Sequence, residues 1–119
     1  MAYDEYLGER IAQIFKCRNV NFFSKKMMGG LCFMVNDKMC CGIHIDKKSG
    51  QSLLMARIGD MAYEAALQKE HSLPMDFTGK PMKGYIFVQE KGIDFDQDLE
   101  YWIDQCLAFN PIAKASKKK

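Results

Sequence analysis

Residues 26–42, Lys26-Met27-Met28-Gly29-Gly30-Leu31-Cys32-Phe33-Met34-Val35-Asn36-Asp37-Lys38-Met39-Cys40-Cys41-Gly42, set a tight-turn signal on either side of one apolar strand. Gly29 and Gly30 accept positive φ at both central positions of a hairpin turn, and Asn36 and Asp37 do nearly the same. A strand held between two such turns pairs antiparallel with both neighbours, so a β-meander near the N-terminus is the expected frame. Both alternating faces of 31–35 are apolar and 39–43 is nearly so, which predicts that the second face of the sheet is covered as well as the first. Helices or a second copy of the chain would cover it, and a homodimer is the expectation.

Asp4 is placed to cap a first helix whose Leu7, Ile11, Ile14 and Phe15 fall at helical spacing and which ends near Arg18 and Asn19. Gly8 weakens that helix by about 1 kcal/mol relative to alanine, so packing on the sheet must hold it. Strands are expected over 20–28, 31–35, 39–45 and 52–58, with a polar turn at 46–50. Gly59 and Asp60 open a short second helix over 61–69 that offers Met61, Ala65 and Leu67 or Ala66 to the core. Pro74, Gly79 and Pro81 break up 70–83, where 75–80 read as an extended arm with a turn at its tip. A fifth strand, 84–89, is rich in aromatic and branched residues. The last helix follows Lys91 and Gly92. Asp96 and Asp98 lie at its N-terminal end, where the helix dipole favours anions, and Leu99, Trp102, Ile103, Cys106 and Leu107 form its apolar stripe. The order helix, four-strand meander, helix, strand, helix predicts a two-layer α+β domain around one antiparallel sheet. It spans 1–111, with 112–119 as a basic flexible tail.

A chain of 119 residues fits one domain and buries roughly two thirds of its unfolded surface, enough for an unaided core. The N-terminal segment is acidic and has no apolar signal core, and no run approaches the roughly 18 apolar residues of a membrane span. The expected location is therefore cytoplasmic, with no membrane partner. Net charge is +2, from 17 basic and 15 acidic residues, too even for a nucleic-acid coat. Much of the surplus sits in Lys114, Lys117, Lys118 and Lys119, a solvated tail.

Five cysteines without a secretion signal read as reduced thiols that fill space. Cys32, Cys40, Cys41 and His44 could be counted as four metal ligands, but there is no C-x-x-C pair, and strand alternation sends Cys40 and Cys41 to opposite faces. No metal site is expected. A two-residue turn at Asn36 and Asp37 puts Cys32 opposite Cys41, within reach of a cross-strand disulfide, although buried free thiols fit better. Residues 94–98 imitate the opening of a calcium loop, yet Leu99 stands where glycine is needed and Gln105 where glutamate is needed. Gly29 and Gly30 join two strands and open no helix, which excludes a phosphate loop. His44 and His71 belong to no G-x-S-x-G, H-E-x-x-H or P-loop pattern. Neither catalytic residues nor a cofactor are expected.

Binding signals are few. Arg57 ends an apolar strand just before a helix, and its forked donors suit a carboxylate or phosphate; an ion pair with Asp60, Glu64 or Asp76 is the plainer reading. Most of the nine methionines fill a core, while exposed ones make an adaptable contact surface. Phe33, Met34 and Met39 on the apolar sheet join Arg57 as candidate interaction residues. Lys25, Lys26, Lys47 and Lys48, with the tail, are the candidate nucleic-acid contact, whose affinity would fall steeply with salt.

Five stretches carry a family likeness: Met1-Ala2-Tyr3-Asp4-Glu5; Lys26-Met27-Met28-Gly29-Gly30-Leu31; Phe33-Met34-Val35-Asn36-Asp37-Lys38-Met39-Cys40-Cys41-Gly42; Arg57-Ile58-Gly59 with Ala62-Tyr63-Glu64; and Pro74-Met75-Asp76-Phe77-Thr78-Gly79-Lys80-Pro81-Met82-Lys83-Gly84. Together they resemble, nearly end to end, the N-terminal domain of the TfoX/Sxy family, bacterial regulators associated with natural competence. The resemblance implies a fold similar to secretion chaperones in its helix and sheet order, and no catalytic residues. It also implies a domain standing without the C-terminal helical domain of the fuller regulators, which leaves regulation with the cyclic-AMP receptor protein unsupported. Asp37 stands where relatives often have glycine, and 46–51 makes a slightly longer loop; both are local adjustments.

The expected function is a noncatalytic regulatory or protein-interaction domain, with the apolar sheet or a methionine surface as the contact. The alternatives are a nonspecific nucleic-acid-binding accessory protein, and an enzyme or small-ligand protein centred on Arg57.

Overall fold

In the computed structural model, which describes residues 4–27, 30–46, 50–74 and 84–112, the Asp4 carboxylate accepts hydrogen bonds from the backbone N–H groups of Tyr6 and Leu7 at 3.0 and 3.2 Å. That cap opens helix α1, Glu5–Cys17, which buries Leu7, Ile11, Ile14 and Phe15 along one face as their spacing predicts. Asn19, at a φ of 57°, turns the chain out of the helix. The first strand accordingly starts at Phe23, later than expected.

The meander follows as β1 (Phe23–Met27), β2 (Gly30–Val35), β3 (Lys38–Ile45) and β4 (Ser52–Arg57). Helix α2 (Asp60–Leu67), β5 (Ser72–Pro74), β6 (Tyr85–Val88) and α3 (Asp96–Phe109) complete the order, with 3-10 turns at Glu90–Gly92 and Asn110–Ile112. The strands form one six-stranded antiparallel sheet in the order β1-β2-β3-β4-β6-β5. The two-layer α+β arrangement is the one expected, with one addition. Strand β5 is a three-residue edge inside the segment read as irregular. The extended arm at 75–80, Lys47, Lys48 and the lysine tail lie outside the described residues.

Three local readings change. Gly30 is not a turn residue: it begins β2 opposite Met27, and a Cβ on it would collide with the Ile43 carbonyl oxygen. Glycine is needed there for the close approach of β3. At the other end of β2, Asn36 and Asp37 do hold positive φ, 56° and 62°, as a primed hairpin turn requires. Next to that turn the register slips. Phe33 pairs with Cys41 but Met34 pairs with Met39, a β-bulge that leaves Cys40 as the extra residue. Cys40 and Cys41 therefore both enter the helix-side core instead of opposite faces, and Cys32 lies opposite Gly42, not Cys41.

The main core lies between the sheet and the helices, where Phe15, Phe33, Leu54, Ile86, Leu99 and Ile103 are fully buried. In α2 the inward residues are Tyr63 and Ala66. Met61 and Ala65, four apart on the opposite side, are exposed, which corrects their assignment to the core. On the other sheet face Cys32, Met34, Leu53, Met55 and Phe87 form a second cluster, each 5–8% exposed within a single chain. The burial of this cluster within one chain agrees with a second face that is covered.

Candidate functional site

Strand β4 ends at Arg57, and Ile58 and Gly59 lead straight into α2. The backbone N–H groups of Ile58 and Gly59 both donate to the Gly84 carbonyl, at 2.9 and 3.1 Å, and tie this turn to the start of β6. Gly59 and Gly84 hold φ values of 88° and 92°, which only glycine adopts without strain. A Cβ on Gly59 would strike the ring of Phe109, so the end of α3 is seated directly on the turn. Between these elements lies a cleft of about 540 Å³ with Ile58, Tyr85, Ala108 and Phe109 among its walls. That volume is typical of a preformed ligand site. At its rim, Met61 is 98% and Ile112 73% exposed.

Arg57 lines the cleft and is only 9% exposed. Its guanidinium lies 5.5 Å from the centroid of the Tyr85 ring and 5.8 Å from that of Phe109, a cation held between two aromatic faces. Nη1 donates to the Met39 carbonyl at 3.4 Å. These contacts orient a permanent charge within an apolar wall, where an anion gains more than it would in water. Of the carboxylates considered for Arg57, Asp60 lines the same cleft and Asp76 lies outside the described residues.

Beside this turn, Cys40 and Cys41 of β3 meet Cys106 of α3, each at 1% exposure or less. Cys40 accepts thiol hydrogen bonds from Cys106 and Cys41, which, with a smaller contribution from the Arg57 charge, holds its pKa well below the ordinary thiol range. Cys41 and Cys106 are pushed the other way, first by donating to Cys40 and then by burial.

A family model for the TfoX N-terminal domain matches residues 18–110. The chain belongs to the TfoX N-terminal domain family. The matched TfoX span includes Arg57, Gly59, Gly84, Tyr85, Phe109 and all three clustered thiols, while α1 lies ahead of it. No curated protein and no solved structure matches the chain.

The other residues singled out in the sequence do not gather at the cleft. Phe33 is buried in the helix-side core at 1% exposure and presents no contact surface. Met34 is buried in the second cluster, and Met39 is half-buried at its margin. Lys25 and Lys26 are exposed on β1 but pair with Cys32 and Leu31, which belong to opposite faces, so the two charges share no patch. Met61, Tyr85, Phe109 and Ile112 were missed as site residues. Gly59 before a helix was the one local signal for a constrained turn beside Arg57; the rest depends on contacts across long stretches of chain.

Proposed function

We propose that the chain is a noncatalytic regulatory domain that binds another protein through the cleft between α2, the start of β6 and the end of α3. The observation that carries this reading is the exposed apolar rim, Met61 and Ile112, around a cleft with Arg57 in its wall. A side chain almost fully in water on an otherwise well-packed helix is a natural contact, and methionine adapts its shape to a partner. Membership of the TfoX N-terminal domain family supports the noncatalytic part of the reading. The test is a tagged pull-down from native lysate with and without nuclease, comparing the unsubstituted chain with Met61→Lys. A stoichiometric protein that survives nuclease and is lost with Met61→Lys is the expected result. Nuclease-sensitive recovery, or a partner indifferent to Met61→Lys, rejects it.

One observation favours a second reading: a buried arginine between two rings, in a cleft of ligand size, suits an apolar small molecule with an acidic group. Saturable binding of phenylacetate that weakens in Phe109→Leu would support it, and no chemical-shift change at the cleft would remove it.

A further inference from the structure

A hollow of about 390 Å³ lies past the C-terminal end of α2, where the chain turning into β5 meets the 3-10 turn after β6 and the first half of α3. It shares no lining residue with the cleft at the other end of α2. The turn into β5 is fixed on several sides. The Ser72 hydroxyl donates to carbonyls at the end of α2, those of Ala66 and Lys69, each at 2.7 Å. The Gln89 backbone N–H donates to the His71 carbonyl at 2.8 Å, and a Cβ on Gly92 would come within 3.1 Å of the His71 Cβ. His71 is thereby held at a φ of 69°, a left-handed backbone that glycine adopts with less strain. The fold keeps an imidazole at this position, and the residue lines the hollow. Such strain persists where the surroundings enforce it, as at ligand clamps. Lys69 and Lys91 line the hollow too, with the Lys69 ammonium 4.5 Å from the centroid of the Tyr101 ring. Glu70 and Asp98 add two carboxylates. Among the described residues none of these four charged side chains joins an ion pair, so both signs remain available to a ligand.

We propose that this hollow binds a phosphate monoester carried on a hydroxyl-bearing small molecule, a mononucleotide or a sugar phosphate. The volume suits a ligand of that size. A monoester carries nearly two negative charges at neutral pH, which matches the Lys69 and Lys91 ammonium groups, and His71 adds a donor to the same phosphate oxygens. Glu70 and Asp98 accept from the hydroxyls of the sugar, the role a carboxylate takes toward a ribose. Tyr101, 40% exposed, offers its ring to the sugar or base. Bare phosphate fits less well, because the two carboxylates repel it and find no hydroxyl to accept from. They likewise oppose a nucleic-acid strand, whose charge repeats at every phosphate.

The experiment titrates the full chain, followed by amide chemical shifts, with adenosine monophosphate and with glucose-6-phosphate, beside adenosine, glucose, inorganic phosphate and a short single-stranded oligonucleotide. Saturable shifts centred on Lys69, His71, Lys91 and Tyr101 with at least one monoester are the expected result. Saturation by adenosine monophosphate alone assigns a nucleotide, and saturation by glucose-6-phosphate assigns a sugar phosphate. Lys91→Ala, an exposed position, and His71→Gly, which relieves the backbone, are each expected to keep the fold and weaken binding about tenfold. No saturable shift with either monoester, equal binding of adenosine, glucose or inorganic phosphate, shifts centred elsewhere, or binding of the oligonucleotide alone overturns the proposal. So does monoester binding that survives both substitutions. Because the monoesters are tried first on the unsubstituted chain, a variant that fails to fold does not decide the result. Failure here leaves protein binding at the separate cleft untouched, and a bound monoester with no partner captured at the cleft rejects only that reading.

Discussion

Asn110 shows how much one side chain can hold. It is 2% exposed; its Nδ2 donates to the Val35 carbonyl at 3.1 Å and its Oδ1 accepts from Asn36 Nδ2 at 2.8 Å. Lys38 Nζ also donates to the Asn110 carbonyl at 3.1 Å. The β2–β3 turn is thereby fastened to the end of α3. Asn110→Ala leaves the buried Val35 carbonyl without this donor and is expected to cost about 1–3 kcal/mol in urea unfolding. His44 makes an acid-sensitive contribution. It meets Phe87 edge-on at 5.1 Å, and burial lowers its pKa, opposed by Asp46. The unfolded chain takes up that proton near pH 6.5, about the free-histidine value, while the folded one takes it up only at lower pH. Stability is therefore full above that value, falls as pH drops through the window down to the folded pKa, and then levels. Urea melts stepped through this range should show the limb, and His44→Gln should flatten it.

At the scale of elements, α1 and the turn into α2 use glycine in opposite ways. Gly8 is buried, its φ is not positive, and an added Cβ would meet Leu31 and Ile43 side chains at 3.4 and 3.6 Å, ordinary packing distances. Gly8→Ala should stabilise the protein by about 0.5–1 kcal/mol through helix propensity, read as a higher urea midpoint with an unchanged m-value. Gly59→Ala should do the reverse, costing about 1–3 kcal/mol, because it forces a left-handed backbone on alanine and drives a methyl into the Phe109 ring. Loss of partner capture should accompany that cost, since Phe109 forms a cleft wall. The helices themselves were legible: the Asp4 cap and the stripes of α1 and α3 are local patterns. Strand β5 was not, because three residues ending in a proline make no periodic signal and gain their place only by pairing with β6.

For the molecule as a whole, the clustered residues of β2, β3, β4 and β6 are buried within one chain, whereas residues 23–26 of β1 are exposed, so association falls to edges and the cleft. Strand β1 is an edge, and its exposed Lys25 and Lys26 discourage pairing with another chain. A monomeric mass by light scattering at micromolar concentration is the expected outcome, with Lys25→Val and Lys26→Val together promoting association. Arg18 adds a link between α1 and α3 through Asp104 at 2.6 Å and Glu100 at 3.4 Å. Partial exposure keeps such a surface pair to about 1 kcal/mol or less. Among the described residues no helix is long and apolar enough to cross a membrane.

Local order was written in the amino-acid sequence: the meander, the Asn36 and Asp37 turn, two amphipathic helices and the likeness to the TfoX family all rest on neighbours in the chain or on periods of two and 3.6. The tertiary structure decided which distant residues share a space. A one-residue bulge moved Cys40 to the side of Cys41 and Cys106, reversing an assignment that strict alternation had made. The same folding set Arg57 between Tyr85 and Phe109, and placed Met61 and Ile112 on the rim of one cleft. Register shifts and helix docking are settled by packing between segments far apart in the chain, and periodicity carries no record of them.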